Sequence, residues 1–380
     1  MIKIESLSGE WVTEKRKKFI KDPTIMEGMI HALYLLERLT ATGLDFIFKG
    51  GTSLVLLMDQ PKRFSVDVDI IVNPSIERAT LEEYLSTIVE SSEFIHMEAD
   101  ELRSYKPGIP KAHYKFTYNS SFPSKNKEGN VITNPEREIL LDIVFAENHY
   151  PALIKRPIQT EWIIQEGEPL IVKTPDINSI TGDKLTAFAP NTTGVPYGVD
   201  KEKEILKQLF DVGCLFDLLT DIDNLKSSFI ASAKSEIKYR PERKIESVDH
   251  VLNDILDTAI VIANINRLNK DDKKAEVREI STGINQFTHY VFNGSFGILD
   301  AQVASSKAAY LAAVILSDYN GELKKFNPAI STKEYLIIHP DYNFLNKSLK
   351  FVARGEALFY WFQTIHLLFP ESKTSDSKSK

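Results

Sequence analysis

Phe48-Lys49-Gly50-Gly51-Thr52-Ser53, followed after thirteen residues by Asp67-Val68-Asp69, is the stretch on which the fold turns. The apolar run Phe46-Ile47-Phe48 reads as a short strand, and a strand ending in two glycines lets a ligand approach its backbone closely. A helix expected over 53–58 would present free N–H groups and a positive dipole end at that turn, which suits a phosphate. Thr52 and Ser53 add hydroxyl donors. In VDVDIIV, over 66–72, side chains alternate between faces, so Asp67 and Asp69 share one face about 7 Å apart. Such a pair suits hard cations such as Mg²⁺ or Mn²⁺. Two cations of that kind would clamp the attacking and leaving oxygens of an in-line phosphoryl displacement. Each piece has a plainer reading, since GGTS can be only a tight turn and DxD can sit on a solvated face. Carboxylates in an apolar strand carry a desolvation cost unless paired or metal-bound, and the order and spacing together favour the chemical reading.

Working outward, Asp22-Pro23 and Gly43 have the chemistry of a helix start and stop, with Met26, Met29, Ile30, Leu33, Leu36 and Leu39 at helical spacing between them. A helix is expected over 76–89, strands over 94–97, 113–118, 139–145, 158–164 and 170–173, and a long hairpin loop over 119–135. From 176 the strand signals nearly vanish. Helices are expected over 176–189, 200–219, 222–238, 246–267, 270–292, 299–318 and 345–369. The expectation is an α+β half at 1–190, an all-α domain at 200–370, and a disordered low-complexity tail at 371–380. The loop over 191–198, rich in Asn, Thr, Gly and Pro, reads as a flexible segment able to lid a site.

The chain has 380 residues, which allows two to three domains. Lys and Arg number 46 against 53 Asp and Glu, a net charge of −7 that disfavours a protein coating nucleic acid nonspecifically. A single cysteine, Cys214, excludes an internal disulfide framework and any multi-cysteine zinc site. The first residues are polar and charged, unlike a secretory signal, and the aromatic run over 357–369 is too short to span a bilayer. A cytoplasmic protein without a membrane partner is the expectation.

A glycine-rich strand–helix turn followed by DxD resembles the nucleotidyltransferase superfold shared by DNA polymerase beta and the CCA-adding enzymes. KGGTSL, Arg63-Phe64-Ser65 before the aspartates, and Gly182-Asp183-Lys184-Leu185 are similar to the AbiEii/AbiGii toxin family, which includes the MenT toxins, over roughly 25–220. That resemblance implies a nucleotidyltransferase-fold mixed sheet with flanking helices. It implies a nucleotide-gripping turn at Lys49, Gly50, Gly51, Thr52 and Ser53, with Arg63 and Ser65 as an R-x-S element for the triphosphate. Asp67 and Asp69 would hold the metal. Lys184 would be the catalytic lysine and Asp211, in KQLFDVGCLFD, the downstream aspartate. The last segment departs from the family pattern of Arg-Asp with a second Asp three residues on. Here Phe210 precedes Asp211, Cys214 holds the later position, and Asp217 is the other candidate.

The residues alone leave alternatives open. Lys184 could bury its stem and aim its ammonium at a phosphate, or be a surface lysine. Asp211 could pair with Lys207. Asp142, a lone charge in ILLDIVF, is a candidate third metal carboxylate, since a buried carboxylate needs a partner. Lys234, Lys238, Arg240, Arg243 and Lys244 could meet an RNA backbone or form a charged surface. The resemblance implies NMP transfer from an NTP to an acceptor hydroxyl, with a tRNA 3′ end as partner, in a type IV toxin–antitoxin or abortive-infection system with a cognate antitoxin encoded nearby. The rival readings are a protein-NMPylating enzyme and a catalytically silent NTP-binding scaffold.

Overall fold

A computed structural model describes residues 1–265 and 274–370. The expected tail at 371–380 and the stretch 266–273 within the expected helices lie outside them. The chain divides into two compact units, Met1–Asp176 with His289–Gly294, and Ile177–Thr288 with Ser295 onward. The boundary expected at 190–200 falls inside the second of these.

The first unit holds helices α1 (Gly9–Phe19), α2 (Pro23–Ala41), α3 (Gly50–Leu57) and α4 (Arg78–Glu90). Its strands are β1 (Phe46–Lys49), β2 (Val68–Val72), β3 (His96–Ala99), β4 (Lys111–Asn119), β5 (Ser124–Lys125), β6 (Val131–Ile132), β7 (Glu136–Phe145), β8 (Leu153–Pro157) and β9 (Ile171–Pro175). Seven form a mixed sheet in the order β3-β4-β7-β2-β1-β9-β8, and β5 pairs with β6 inside the expected hairpin loop. Strand β2 runs antiparallel to β1 and parallel to β7.

Period-two alternation decides the faces. Val68, Ile70 and Val72 of β2, Leu141 and Ile143 of β7, and Tyr114 and Phe116 of β4 are buried in one core. Asp69 and Asp142 therefore stand on the opposite face. Helix α2 is capped as its sequence requires, with the Asp22 carboxylate accepting from the Thr24 N–H at 2.9 Å and Pro23 in the first turn. Its residues Met26, Met29, Ile30, Leu33 and Leu36 are fully buried.

His31, on the same helix, is 4 % exposed, donates from Nδ1 to the Glu27 carbonyl and stacks on Tyr118. Burial pulls its pKa from 6.5 down to about 4. The unfolded chain binds the extra proton between those values, so this contribution to stability is full above pH 6.5 and is lost as pH falls towards 4. It amounts to about 3 kcal/mol. Denaturant unfolding at pH 7 and pH 4.5 should show a smaller difference in His31→Phe than in wild type. An unchanged difference would mean that the ring is protonated in place. Burial raises the pKa of neighbouring Glu27, an effect of opposite sign, so the comparison with the variant is what isolates His31.

Two expectations change, and one helix forms where none was expected. Residues 158–164 form no strand. Ile158, Trp162 and Ile163 are buried in a turn where Thr160 Oγ1 accepts from the Trp162 N–H, so their apolar pattern reports burial without a ladder. The charged N-terminal stretch contains α1, whose Trp11 Nε1–H donates to the Trp162 carbonyl at 2.7 Å. The helix expected over 270–292 stops at Phe287, and His289–Gly294 belongs to the first unit. There the Phe64 N–H donates to the Tyr290 carbonyl, the Phe292 N–H donates to the Lys62 carbonyl, and Phe292 packs against Phe19, Phe64 and Trp162.

The second unit contains α5 (Ile177–Ala187), α6 (Glu202–Phe216), α7 (Ile222–Lys238), α8 (Val248–Ala263), α9 (Lys274–Phe287), α10 (Ile298–Leu316), α11 (Leu345–Leu349) and α12 (Glu356–Leu368). Among the described residues α10 alone is long and apolar enough to cross a membrane, and most of it is buried inside the protein. The single helix expected over 345–369 is broken, because Ala353, Arg354 and Gly355 all take positive φ between α11 and α12. The 191–198 loop is strapped rather than loose. Asp254 accepts from the Asn191 N–H and Thr192 Oγ1, Arg243 donates to the Thr192 and Gly194 carbonyls, and Glu279 accepts from the Gly198 N–H. Arg243 is thus spent inside the unit, and Arg240 pairs with Glu236, so these two members of the basic cluster are not a free track for RNA.

Candidate active site

The site begins where β1 runs out. Lys49 leads directly into α3, and Gly50 makes the turn at φ +77°, where an L side chain is strained. A Cβ on Gly50 would lie 1.9 Å from Asp69 Oδ2, and one on Gly51 would lie 2.5 Å from Arg63 Nη2 and 2.6 Å from Ser65 Oγ. The bare backbone of the turn is the surface on which the Asp69 carboxylate, the Arg63 guanidinium and the Ser65 hydroxyl rest. Seven residues expected to act together thus meet within one unit: Gly50, Gly51, Thr52, Ser53, Arg63, Ser65 and Asp69.

Their roles differ from the simplest expectation in one respect. Thr52 and Ser53 are both 0 % exposed. Thr52 Oγ1 donates to the Asp67 carbonyl and Ser53 Oγ donates to the Gly50 carbonyl at 2.8 Å. The Thr52 hydroxyl fastens the turn to the DxD segment, and the Ser53 hydroxyl closes the turn on itself. What the turn offers an anion is the main-chain N–H array that opens α3. Arg63 is 6 % exposed, its Nη1–H donates to the Phe64 carbonyl at 2.9 Å, and its backbone bridges to Val291. The His289–Gly294 segment therefore braces the R-x-S element from a place more than two hundred residues away, which no local pattern announces.

Strand register lines up a second set. Lys49 of β1 faces Asp69 of β2, Asp69 faces Asp142 of β7, and Asp142 faces His113 of β4. The row runs across four adjacent strands, each about 4.8 Å from the next, with two carboxylates between a lysine and a histidine. His113 Nδ1 lies 2.6 Å from Asp142 Oδ1, and since a carboxylate only accepts, the ring nitrogen donates. His113 was not singled out from sequence. The available signal was its place in AHYKF, two residues from Lys115 on the same strand face.

The strand expected over 66–72 begins at Val68, so Asp67 lies just before β2, and the oxygen donors that register sets side by side are Asp69 and Asp142, a pair of a kind that suits a hard divalent cation. Among the described residues no three His, Cys, Asp or Glu side chains already converge as a closed cage.

The second unit carries the other candidate pair. Lys184 on α5 is 6 % exposed, and its Nζ lies 3.0 Å from Asp211 Oδ2 on α6, whose side chain is 1 % exposed. Gly182 lets α5 press onto α7, since a Cβ there would lie 2.6 Å from the Phe229 nitrogen. Lys184 Nζ also donates to Gln208 Oε1 at 3.2 Å. Lys184 is buried, Lys207 pairs with Glu204 at 3.0 Å, and Asp217 pairs with Lys307 at 2.9 Å. Gln208 and Asp211, three residues apart on α6, thus both reach Lys184.

A family profile described as "Nucleotidyl transferase AbiEii toxin, Type IV TA system" matches residues 34–287, more than half of the chain. No curated protein matches it.

Proposed function

We propose that this chain, which belongs to the AbiEii nucleotidyl transferase toxin family of type IV toxin–antitoxin systems, moves an NMP group from an NTP to a hydroxyl at a tRNA 3′ end. The observation that carries the reading is the closure of the turn on its motifs, with Asp69 against Gly50 and with Arg63 and Ser65 against Gly51. In the reaction the acceptor hydroxyl gives up its proton to solvent, its oxygen bonds to the α-phosphorus, the bond from that phosphorus to the bridging oxygen breaks, and pyrophosphate leaves. The N–H array of α3 and the planar fork of Arg63 suit the triphosphate and the charge that grows on its leaving part. A divalent cation at Asp67 and Asp69, when bound, supplies Lewis-acid polarisation of the phosphoryl oxygens. Lys184, by the resemblance of GDKLTAF, contributes a cation to the same reaction, and Asp211 with Gln208 holds its ammonium in one orientation. The acceptor, the cytoplasmic setting, growth arrest in phage defence and control by an antitoxin encoded nearby complete the proposal.

The test is incubation with each α-labelled NTP in the presence of Mg²⁺, with total tRNA and separately with cell lysate. Label on tRNA is the expected result. Label on protein would move the acceptor to a Ser, Thr or Tyr hydroxyl, and no label on either would leave a nucleotide-binding scaffold. In cells, induction without antitoxin should arrest growth.

One variant tests the turn itself. Gly51→Ala should lower transfer about 100-fold, because Arg63 and Ser65 must shift by the order of an ångström to admit the methyl. Steady-state kinetics in the NTP should show the loss mainly as a raised KM. Unaltered kinetics would mean that Arg63 and Ser65 do not grip the nucleotide.

A further inference from the structure

His113 lies in none of the motifs assigned above, yet it is built into the sheet more firmly than an incidental neighbour needs to be. Its N–H donates to Ser104 Oγ at 2.8 Å, and its carbonyl accepts from the Asp100 N–H at 2.8 Å. Ser104 is itself 5 % exposed. On the other side, β7 pairs with β4 and places Asp142 directly opposite. The ring is thus held at its backbone from both flanks, and its side chain is 14 % exposed against 30 % for Asp142. Among the described residues, the ring's side-chain hydrogen bond ends on Asp142 Oδ1.

Asp142 needs such a hold. Its register neighbour in the parallel pair is Asp69, so two carboxylates stand side by side, and like charges so placed repel. An N–H donated to Oδ1 fixes the plane of the carboxylate and leaves Oδ2 outside that bond.

We infer that His113 is a positioning residue, which holds the Asp142 carboxylate beside Asp69 so that the row can take a divalent cation. The inference rests on the reading that Asp67 and Asp69 hold that cation. Hydrogen-bond partners of ligating carboxylates typically alter metal affinity about 10–100-fold when removed.

The experiment measures Mn²⁺ binding to the NTP-free protein by calorimetry or electron paramagnetic resonance, beside the Mg²⁺ concentration giving half-maximal transfer. His113→Leu should weaken Mn²⁺ binding about 10–100-fold and move the Mg²⁺ midpoint by a similar factor. The KM for NTP at saturating Mg²⁺ should stay near the wild-type value. His113→Asn, whose amide N–H can stand where Nδ1 stood, should recover most of the affinity. Should His113→Leu fail to fold, His113→Ala takes its place and is compared with Asp142→Asn and with the double variant. Action through Asp142 requires that His113→Ala adds no loss once Asp142 is changed. Wild-type Mn²⁺ affinity in His113→Leu, or additive losses in the double variant, would overturn the inference while Asp69→Asn still abolished binding. Loss of neither binding nor transfer in Asp69→Asn would overturn the cation reading beneath it.

Discussion

Asp69→Asn removes NMP transfer and leaves the protein about as stable as before. The carboxylate rests on the bare Cα of Gly50 and stands beside Asp142 in the parallel β2–β7 pair. Asp69 stands between Lys49 of β1 and Asp142 of β7, so neutralising it gives up an attraction as it relieves a repulsion, and the net change stays within about 1 kcal/mol. Asparagine keeps the shape and volume, so the core face of β2, with Val68, Ile70 and Val72 buried, is undisturbed. Transfer loses a ligand whose work is done as charge moves in the reaction, and such losses are on the order of 10³-fold. Label transfer and thermal unfolding measured on the same preparation check both halves. A variant that unfolds several degrees lower would show Asp69 to be a structural residue, and one that still transfers label would remove it from the chemistry.

Lys184→Met has the largest expected effect on the fold. Its partner Asp211 is 1 % exposed and the ion pair closes at 3.0 Å. Removing the ammonium leaves a carboxylate buried without its lysine, at a cost of about 3–5 kcal/mol. Lys184→Met combined with Asp211→Leu replaces the pair by apolar groups of similar volume, and stability should return to near wild type or above it. Transfer should be absent from both. The double variant therefore separates two roles that the single variant confounds, because a stable and inactive protein places the pair in the chemistry. A stable double variant that retained transfer would reduce Lys184 and Asp211 to a structural bridge. Denaturant midpoints and label transfer give the two readouts.

The parts of the site legible beforehand are those carried by neighbouring residues. Gly50-Gly51 announces a turn because only glycine accepts φ +77° and a carboxylate oxygen against its Cα. Asp69 announces its strand face because side chains alternate along β2. Asp142 stood out as one charge in an apolar run, but its partner lies 29 residues away on another strand. The same holds for the loop at 191–198, whose composition suggests freedom while its tethers come from Arg243, Asp254 and Glu279. Residues 158–164 misled in the opposite sense, since apolar spacing reports what is buried and not whether a ladder buries it. At 345–369 the helical periodicity ran through a break that three consecutive positive φ angles impose.

Local chemistry was enough, then, to point to an α+β sheet followed by helices, to the glycine turn that closes on Asp69, and to Asp69 as a carboxylate on a strand face. Periodicity, capping and glycine geometry act over a few residues and are written in consecutive letters. Long-range closure settled the rest. The return of His289–Gly294 to brace Arg63, the register that sets Asp69 beside Asp142 and Asp142 beside His113, and the choice of Asp211 and Gln208 for Lys184 are all non-local pairings. Each depends on which strands and helices become neighbours, a matter of packing whole apolar faces together, and the residues concerned carry no mark of it in their own surroundings along the chain.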